Sequence, residues 1–335
     1  MRILLVKLSS LGDVVHTLPV VQDILSAMPD AQIDWVVEKA FAPLLKQVRG
    51  LRRIIPCELR RWRSSFWSSQ TRMEWRAFKA DLQTDSYDAV IDLQGLTKSA
   101  VVVRLAKLAA RGKRFAMANQ TDGSGYEAPT RWAADVTIRL PQHIHAVQRG
   151  RELAARAFGY SIPKVANFAL VSELNISQEH INHALIAPKI IAKKMAFIHG
   201  TSRQDKEWPL KSWVELGQRL AVIGYQGMLV HGNAKELATS QAIASQLPSS
   251  TVLPLLSLDV LTQELAQCAG AVGVDSGVSH IAVALGLPHV QIYNFDTAWR
   301  TGPSGCDHQT SVFANSSPEV DAVWHAWLRC EKAAA

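Results

Sequence analysis

The chain has 335 residues with 36 Lys and Arg against 29 Asp and Glu, a formal net charge of +7; 48% of it is hydrophobic and 19% charged. That length exceeds what one core usually supports, so two domains of about 150 residues each are expected, with ample core and no disordered or fibrous character. The widely spaced Cys57, Cys268, Cys306 and Cys330 form no Cys-x-x-Cys pair, and Lys7 and Asp13 interrupt any amino-terminal apolar run, which argues against a zinc site, a disulfide framework and a signal sequence, and for the cytoplasm.

Arg2-Ile-Leu-Leu-Val6 reads as a strand, Leu11-Gly-Asp-Val-Val15 opens a helix running to about Ala27, and Gln32-Ile-Asp-Trp-Val-Val37 is the next strand. The charge then acquires an address. From Arg49 to Lys79 there are eight Arg and one Lys against Glu58 and Glu74, so this stretch alone sums to +7 and the remainder to zero. Trp62, Phe66, Trp67 and Trp75 are interleaved with it, around Arg60-Arg-Trp-Arg63. Such a patch suits phosphates and carboxylates, a lipid–water boundary or nucleic acid, or it is a solvated helix face. Tyr87-Asp-Ala-Val-Ile-Asp92 is again a strand, followed by a helix from Thr97 to Ala109, an extended Lys113-Arg-Phe-Ala-Met117 and a helix from His145 to Phe158.

A polar, loosely patterned region from Gly159 to near Pro188 is the expected domain junction. The βα rhythm resumes with strand 195–199, helix 210–222, strand 227–231, helix 234–245, strand 251–253, helix 258–267 and a unit over 272–293; Pro318 to Glu331 closes the chain as a helix. Ser276 to Phe295 lacks Asp, Glu, Lys and Arg, but its two His, two Gly, Asn294 and Pro288 favour a buried helix and strand over a membrane span. The fold expected is α/β: two facing Rossmann-like, doubly wound parallel-sheet domains, 1–165 and 166–317, with helix 318–335 packing back on the first domain. Ligands of such folds bind outside the carboxyl ends of the strands.

Val272-Gly-Val-Asp-Ser-Gly-Val-Ser-His280 places Asp275, Ser276 and Gly277 where a strand passes into a helix. Backbone N–H groups and the positive end of the helix dipole favour an anion there, and an ordinary N-capped turn is the alternative. His199-Gly-Thr-Ser-Arg-Gln-Asp-Lys206 likewise follows a strand end and offers Thr201, Ser202 and Lys206 to a leaving diphosphate, or simply turn chemistry. No Gly-x-Gly-x-x-Gly, P-loop or Gly-x-Ser-x-Gly is present, and no Asp-x-Asp that would hold a metal on a sugar nucleotide.

Lys7-Leu-Ser-Ser-Leu-Gly-Asp13-Val-Val-His16-Thr-Leu-Pro19, together with Arg60-Arg-Trp-Arg63, Tyr87 to Gly95 with Lys98-Ser-Ala, His145-Ala-Val, Asp205-Lys-Glu-Trp-Pro209 and Val274 to His280, resembles the bacterial lipopolysaccharide heptosyltransferases, their type I branch in particular. The motifs keep the family's order over nearly the whole chain. The resemblance implies the glycosyltransferase B architecture and transfer of L-glycero-D-manno-heptose from ADP-heptose to Kdo on lipid A, with inversion and no metal or cofactor. It implies Asp13 as general base and Lys206 as the cation that stabilises the leaving diphosphate. Thr201, Ser202, Lys206, Glu236, Leu256, Asp275, Ser276, Gly277 and His280 are the implied donor site; Ser10, Gly12, Arg60, Arg61, Arg63, Lys98 and His145 are the implied acceptor site. Asp13 has helix capping as its alternative role. The implied location is the cytoplasmic face of the inner membrane, in peripheral contact with its anionic surface, with no nucleic-acid partner.

The chain departs from the family pattern between Met117 and Pro141, where Tyr126-Glu-Ala-Pro129 replaces an Arg-Glu-Pro run, and at Leu256, where Met is common. Rival readings are heptosyltransferase II, a nucleotide-sugar epimerase of the same architecture and, in another class, a nucleic-acid-binding protein using the 49–79 patch.

Overall fold

The computed structural model describes residues 1–170 and 193–334, and the part of the expected junction from 171 to 188 lies outside them. The chain divides into two compact units, Met1–Ala169 and Leu170–Ala335. The first contains β1 (Arg2–Val6), α1 (Leu11–Thr17), α2 (Pro19–Ala27), β2 (Gln32–Glu38), α3 (Ala42–Leu45), β3 (Leu51–Cys57), α4 (Leu59–Ser64), α5 (Ser69–Leu82), β4 (Tyr87–Asp92), α6 (Thr97–Leu105), β5 (Leu108–Met117), β6 (Val136–Ile138) and α7 (Ala146–Phe158). Its strands pair in parallel in the order β3-β2-β1-β4-β5-β6. Ile3 to Val6 are fully buried, as a central strand covered on both faces requires.

The second unit contains β7 (Lys193–Ile198), α8 (Leu210–Val222), β8 (Tyr225–Leu229), α9 (Ala234–Ala244), β9 (Thr251–Val252), α10 (Leu258–Ala266), β10 (Gly270–Val274), α11 (Gly277–Ala284), β11 (His289–Tyr293), α12 (Ala298–Thr301), β12 (Gln309–Phe313) and α13 (Val320–Ala334). Its sheet order, β9-β8-β7-β10-β11-β12, repeats that of the first. Each order reverses direction once, between β1 and β4 and between β7 and β10, and these reversals are where open α/β sheets bind ligands.

Three expectations are corrected. The first helix does not run unbroken to Ala27. It stops at Thr17 and restarts at Pro19, the first position of α2, because proline has no N–H to bond to the preceding turn. The helix expected to reach Ala109 ends at Leu105, and Leu108 already pairs with Tyr87 as the start of a ten-residue strand. The terminal helix, expected to pack on the first domain, inserts Val320, Val323, Ala326, Trp327 and Cys330 into the core of the second unit. Trp327 is fully buried there, edge-on to Tyr225 at 5.5 Å.

Candidate functional site

In the first unit, the turn after β1 carries Asp13 into the first turn of α1. The Asp13 carboxylate accepts the Ser10 backbone N–H (3.2 Å) and hydroxyl (3.0 Å), and lies 3.4 Å from the Lys7 ammonium and 3.5 Å from the Arg149 guanidinium. Burial pushes this carboxyl up, but Lys7, Arg149, the Ser10 N–H and His16 outweigh it and hold it well below the usual carboxylate range. Lys7 is buried and also donates to the Leu93 carbonyl (3.0 Å); burial lowers its ammonium, against the opposing pull of Asp13. Capping and ionisation of Asp13 therefore coexist.

The loop after β4 completes this edge of the sheet. Asp92 accepts the Gln94 and Gly95 N–H groups (2.9 and 3.0 Å) and the Ser99 hydroxyl (3.0 Å), which folds the loop so that Gln94 Oε1 accepts Leu8 N–H and Ser9 N–H, each at 3.1 Å. Lys98 donates to Ser9 Oγ (2.7 Å), and its ammonium is lowered by burial and by neighbouring Arg60. Arg60 N–H bonds Glu38 (3.3 Å). His145 caps α7 by accepting Val147 N–H (3.2 Å), with its ring 6.3 Å from that of His16. Ser10, Gly12, Asp13, Arg60, Lys98 and His145 thus share the carboxyl edge of one sheet.

The basic stretch is less uniform than its composition suggests. Arg52 and Arg53 turn to Asp34, Asp81 and Asp85, acids on other elements, and the buried Asp34 also accepts Tyr87 OH (2.9 Å). Arg61, expected to face an acceptor, instead spans Glu58 and Glu74, while Arg63 stays exposed. Trp62 is not a surface residue. It is buried against Trp75 and Phe78, with its indole N–H on Glu74 (2.8 Å).

In the second unit, β10 delivers Asp275 to the start of α11. Asp275 is buried, paired with Lys206 and 3.5 Å from His280 Nε2. Burial raises its carboxyl, and His280 and Lys206 overcome that and hold it well below the usual range. Thr201 Oγ1 donates to the Asp275 carbonyl (3.2 Å), joining the loops after β7 and β10. Ser276 is the N-cap of α11, accepting Ser279 N–H at 3.4 Å, and Gly277 begins the helix. Ser279 bonds Val274 O (2.6 Å) in the space that Gly273 leaves by lacking a side chain.

Glu236 accepts Gly232 N–H (2.6 Å) and the Asn233 amide (2.8 Å) and packs on Gly200, where a Cβ would fall 2.6 Å from its carboxyl carbon. With His199, Thr201, Trp208 and Lys235 it lines a cavity of about 60 Å³. His231 Nε2, in the loop after β8, lies 3.0 Å from the Leu253 carbonyl in the connection that holds half-buried Leu256. Ser202 is exposed at the tip of the Thr201 loop.

Lys7 and Arg149 were not singled out in the sequence. Lys7 lies six residues before Asp13 and carries a local signal, a lysine closing a buried strand. Arg149 is four residues after His145 and has none, because its contact with Asp13 spans 136 positions. Among the described residues no three His, Cys, Asp or Glu side chains gather to hold a metal ion, and no helix is long and apolar enough to cross a membrane.

Two Rossmann-like units, one placing an ionised carboxylate among cations and the other a lysine beside a capped helix start suited to a diphosphate, define the glycosyltransferase B class. A family model described as glycosyltransferase family 9 (heptosyltransferase) matches residues 75–323. Lipopolysaccharide heptosyltransferase 1 of Pseudomonas aeruginosa is 36% identical over 311 residues, covering 91% of this chain and 82% of that protein. The enzyme of the same name from Escherichia coli K12 is 36% identical over 298 residues, 88% of each chain. The solved structure of E. coli heptosyltransferase WaaC with ADP matches with a TM-score of 0.83 at 34% identity, covering 97% of this chain and 98% of that one. The chain belongs to glycosyltransferase family 9, the heptosyltransferases.

Proposed function

We propose that this chain transfers L-glycero-D-manno-heptose from ADP-heptose to Kdo of a lipid A-linked inner core, inverting the anomeric carbon, with Asp13 as general base and no metal. The Kdo hydroxyl oxygen attacks the anomeric carbon, its proton passes to Asp13, and the bond to the diphosphate breaks to release ADP. An acid held so firmly ionised is a modest base. The attacking hydroxyl, however, acidifies as its new bond forms, so the proton moves late, when Asp13 needs least basicity. The leaving group is already an anion, and Lys206 and the first turn of α11 stabilise its charge in place of a general acid. Thr201, Ser202, Glu236, Leu256, Asp275 and His280 shape the rest of the donor site; Ser10, Gly12, Arg60, Arg63, Lys98 and His145 meet the anionic acceptor, and Arg61 joins them only by leaving its two glutamates.

The observation that carries this reading is Asp13 itself, a half-exposed carboxylate kept charged by Lys7 and Arg149 at the reversal of its sheet. The proposal extends to location, the cytoplasmic face of the inner membrane in peripheral contact with its anionic surface. The test is transfer by purified protein to Kdo-lipid A with ADP-heptose and with other sugar nucleotides, with and without EDTA. Product from ADP-heptose, unchanged by EDTA, is expected. A rearranged sugar from ADP-heptose alone would instead mark an epimerase, and loss of activity with EDTA would remove the metal-free mechanism.

A further inference from the structure

The α4–α5 hairpin separates its charges by side. Each of its acids is engaged by an arginine: Glu58 and Glu74 by Arg61, and Asp81 by Arg53. On α5, Thr71, Phe78 and Leu82 are buried, and the residues of the opposite face, Arg72, Met73 and Arg76, are exposed. At the tip, Phe66 and Trp67 are 56% and 86% exposed and meet edge to face at 5.9 Å; Met73 is 61% exposed. An exposed indole, phenyl and thioether on the same hairpin as the exposed Arg72 and Arg76, with the hairpin's acids already paired, is complementary to a surface that is apolar below and anionic above.

We propose that this hairpin is the element that docks the enzyme on an anionic lipid bilayer, the Phe66–Trp67 tip entering the interfacial layer while Arg72 and Arg76 face headgroup phosphates. The proposal rests on the functional reading above, in which the acceptor is anchored in lipid. Arg60, beside Glu38 and Lys98 at the proposed acceptor edge, opens the short helix α4 that leads to the Phe66–Trp67 tip, so one short helix links the tip to that edge. A nucleic acid would use the same cations but would leave Met73 and the Phe66 edge exposed to water.

The test is sedimentation of the full chain with acceptor-free vesicles of phosphatidylcholine alone and of phosphatidylcholine with phosphatidylglycerol. Binding to the anionic vesicles is expected, weakened ~10-fold or more by Phe66→Ser with Trp67→Ser, as loss of two interfacial aromatics implies. Arg72→Glu with Arg76→Glu should reduce it to the level of neutral vesicles. Both variants should turn over a lipid-free Kdo acceptor like the wild type, which also shows that they fold, and should lose efficiency on a vesicle-borne acceptor. Equal wild-type binding to both vesicle types, unchanged binding in the Phe66/Trp67 variant, or salt-sensitive binding to nucleic acid with none to vesicles overturns the docking proposal. Wild-type protein that docks as expected but transfers to neither acceptor removes the functional reading and leaves the docking intact.

Discussion

Asp13→Asn separates what this carboxylate does for stability from what it does for transfer. The amide keeps the shape and can still accept the Ser10 N–H, but it removes a negative charge 3.4 Å from Lys7 and 3.5 Å from Arg149, whose side chains are only 3% and 10% exposed. Each contact corresponds to roughly 5 kcal/mol of attraction at an effective dielectric of about 20. Desolvation offsets much of that, and Asp13 is itself 34% exposed, so the net loss is about 2–4 kcal/mol. For a unit of this size that lowers Tm by roughly 5–12 °C. Removal of a general base costs ~10²–10⁴-fold in kcat. Lys7→Met in the Asp13→Asn background removes the stranded ammonium, so it should recover much of the lost Tm and none of the turnover. Calorimetric melting is paired with ADP release at saturating ADP-heptose, and donor affinity should stay within a few-fold because the proposed donor groups belong to the second unit. Turnover within tenfold of wild type in Asp13→Asn, or turnover that returns along with Tm in the double variant, refutes the assigned role.

Trp327→Ala, which empties the largest side chain that α13 contributes to the second core, should cost about 3–5 kcal/mol in denaturant unfolding. Gly200→Ala forces the Glu236 carboxylate aside and should weaken ADP-heptose binding ~10-fold by titration calorimetry, with kcat at saturating donor little changed. Burial, reinforced by His231, holds His199 down to about 4, and burial holds His289 down to about 3. Both are depressed from 6.5, so the stability they confer is complete above pH 6.5 and is lost as pH falls toward those values, about 3 kcal/mol for His199 alone. Tm measured from pH 7 to 4 should show that decline, and His199→Leu should flatten it. Because Asp13 and Asp275 are held below the usual carboxylate range, kcat should show no titration of an ordinary carboxylate near pH 4 in protein that remains folded.

Periodicity made the regular elements legible wherever local chemistry decided them. The helix 210–222 was read at both ends because Pro209 starts it and its apolar face repeats at helical spacing. Within the 272–293 unit the same holds for the strand His289–Tyr293, an apolar run preceded by Pro288. Pro19 was visible too, but whether it kinks or restarts a helix depends on how the preceding turn packs. Contacts between distant residues were not legible. The partners of Arg52 and Arg53 lie 18 to 33 positions away, so a stretch that sums to +7 in one dimension is offset by three acids from outside it in three. The motif around Asp13 was recognisable, whereas the guanidinium that steadies it comes from α7, and no spacing rule joins the two. For α13, the amphipathic pattern announced a buried face without saying which core would receive it.

The repeated strand order has a consequence for how such an enzyme can change. Each half reverses its strand order between the first and fourth strands of its own count, β1 and β4 in one and β7 and β10 in the other, and the proposed site groups follow those strands. On the proposed donor assignment, a different nucleotide sugar would be accommodated by rewriting residues 199–206, 231–236 and 275–280, with the described strands of both scaffolds and the whole of residues 1–169 left as they are. On that assignment, donor preference and acceptor preference are separately heritable traits of a single polypeptide.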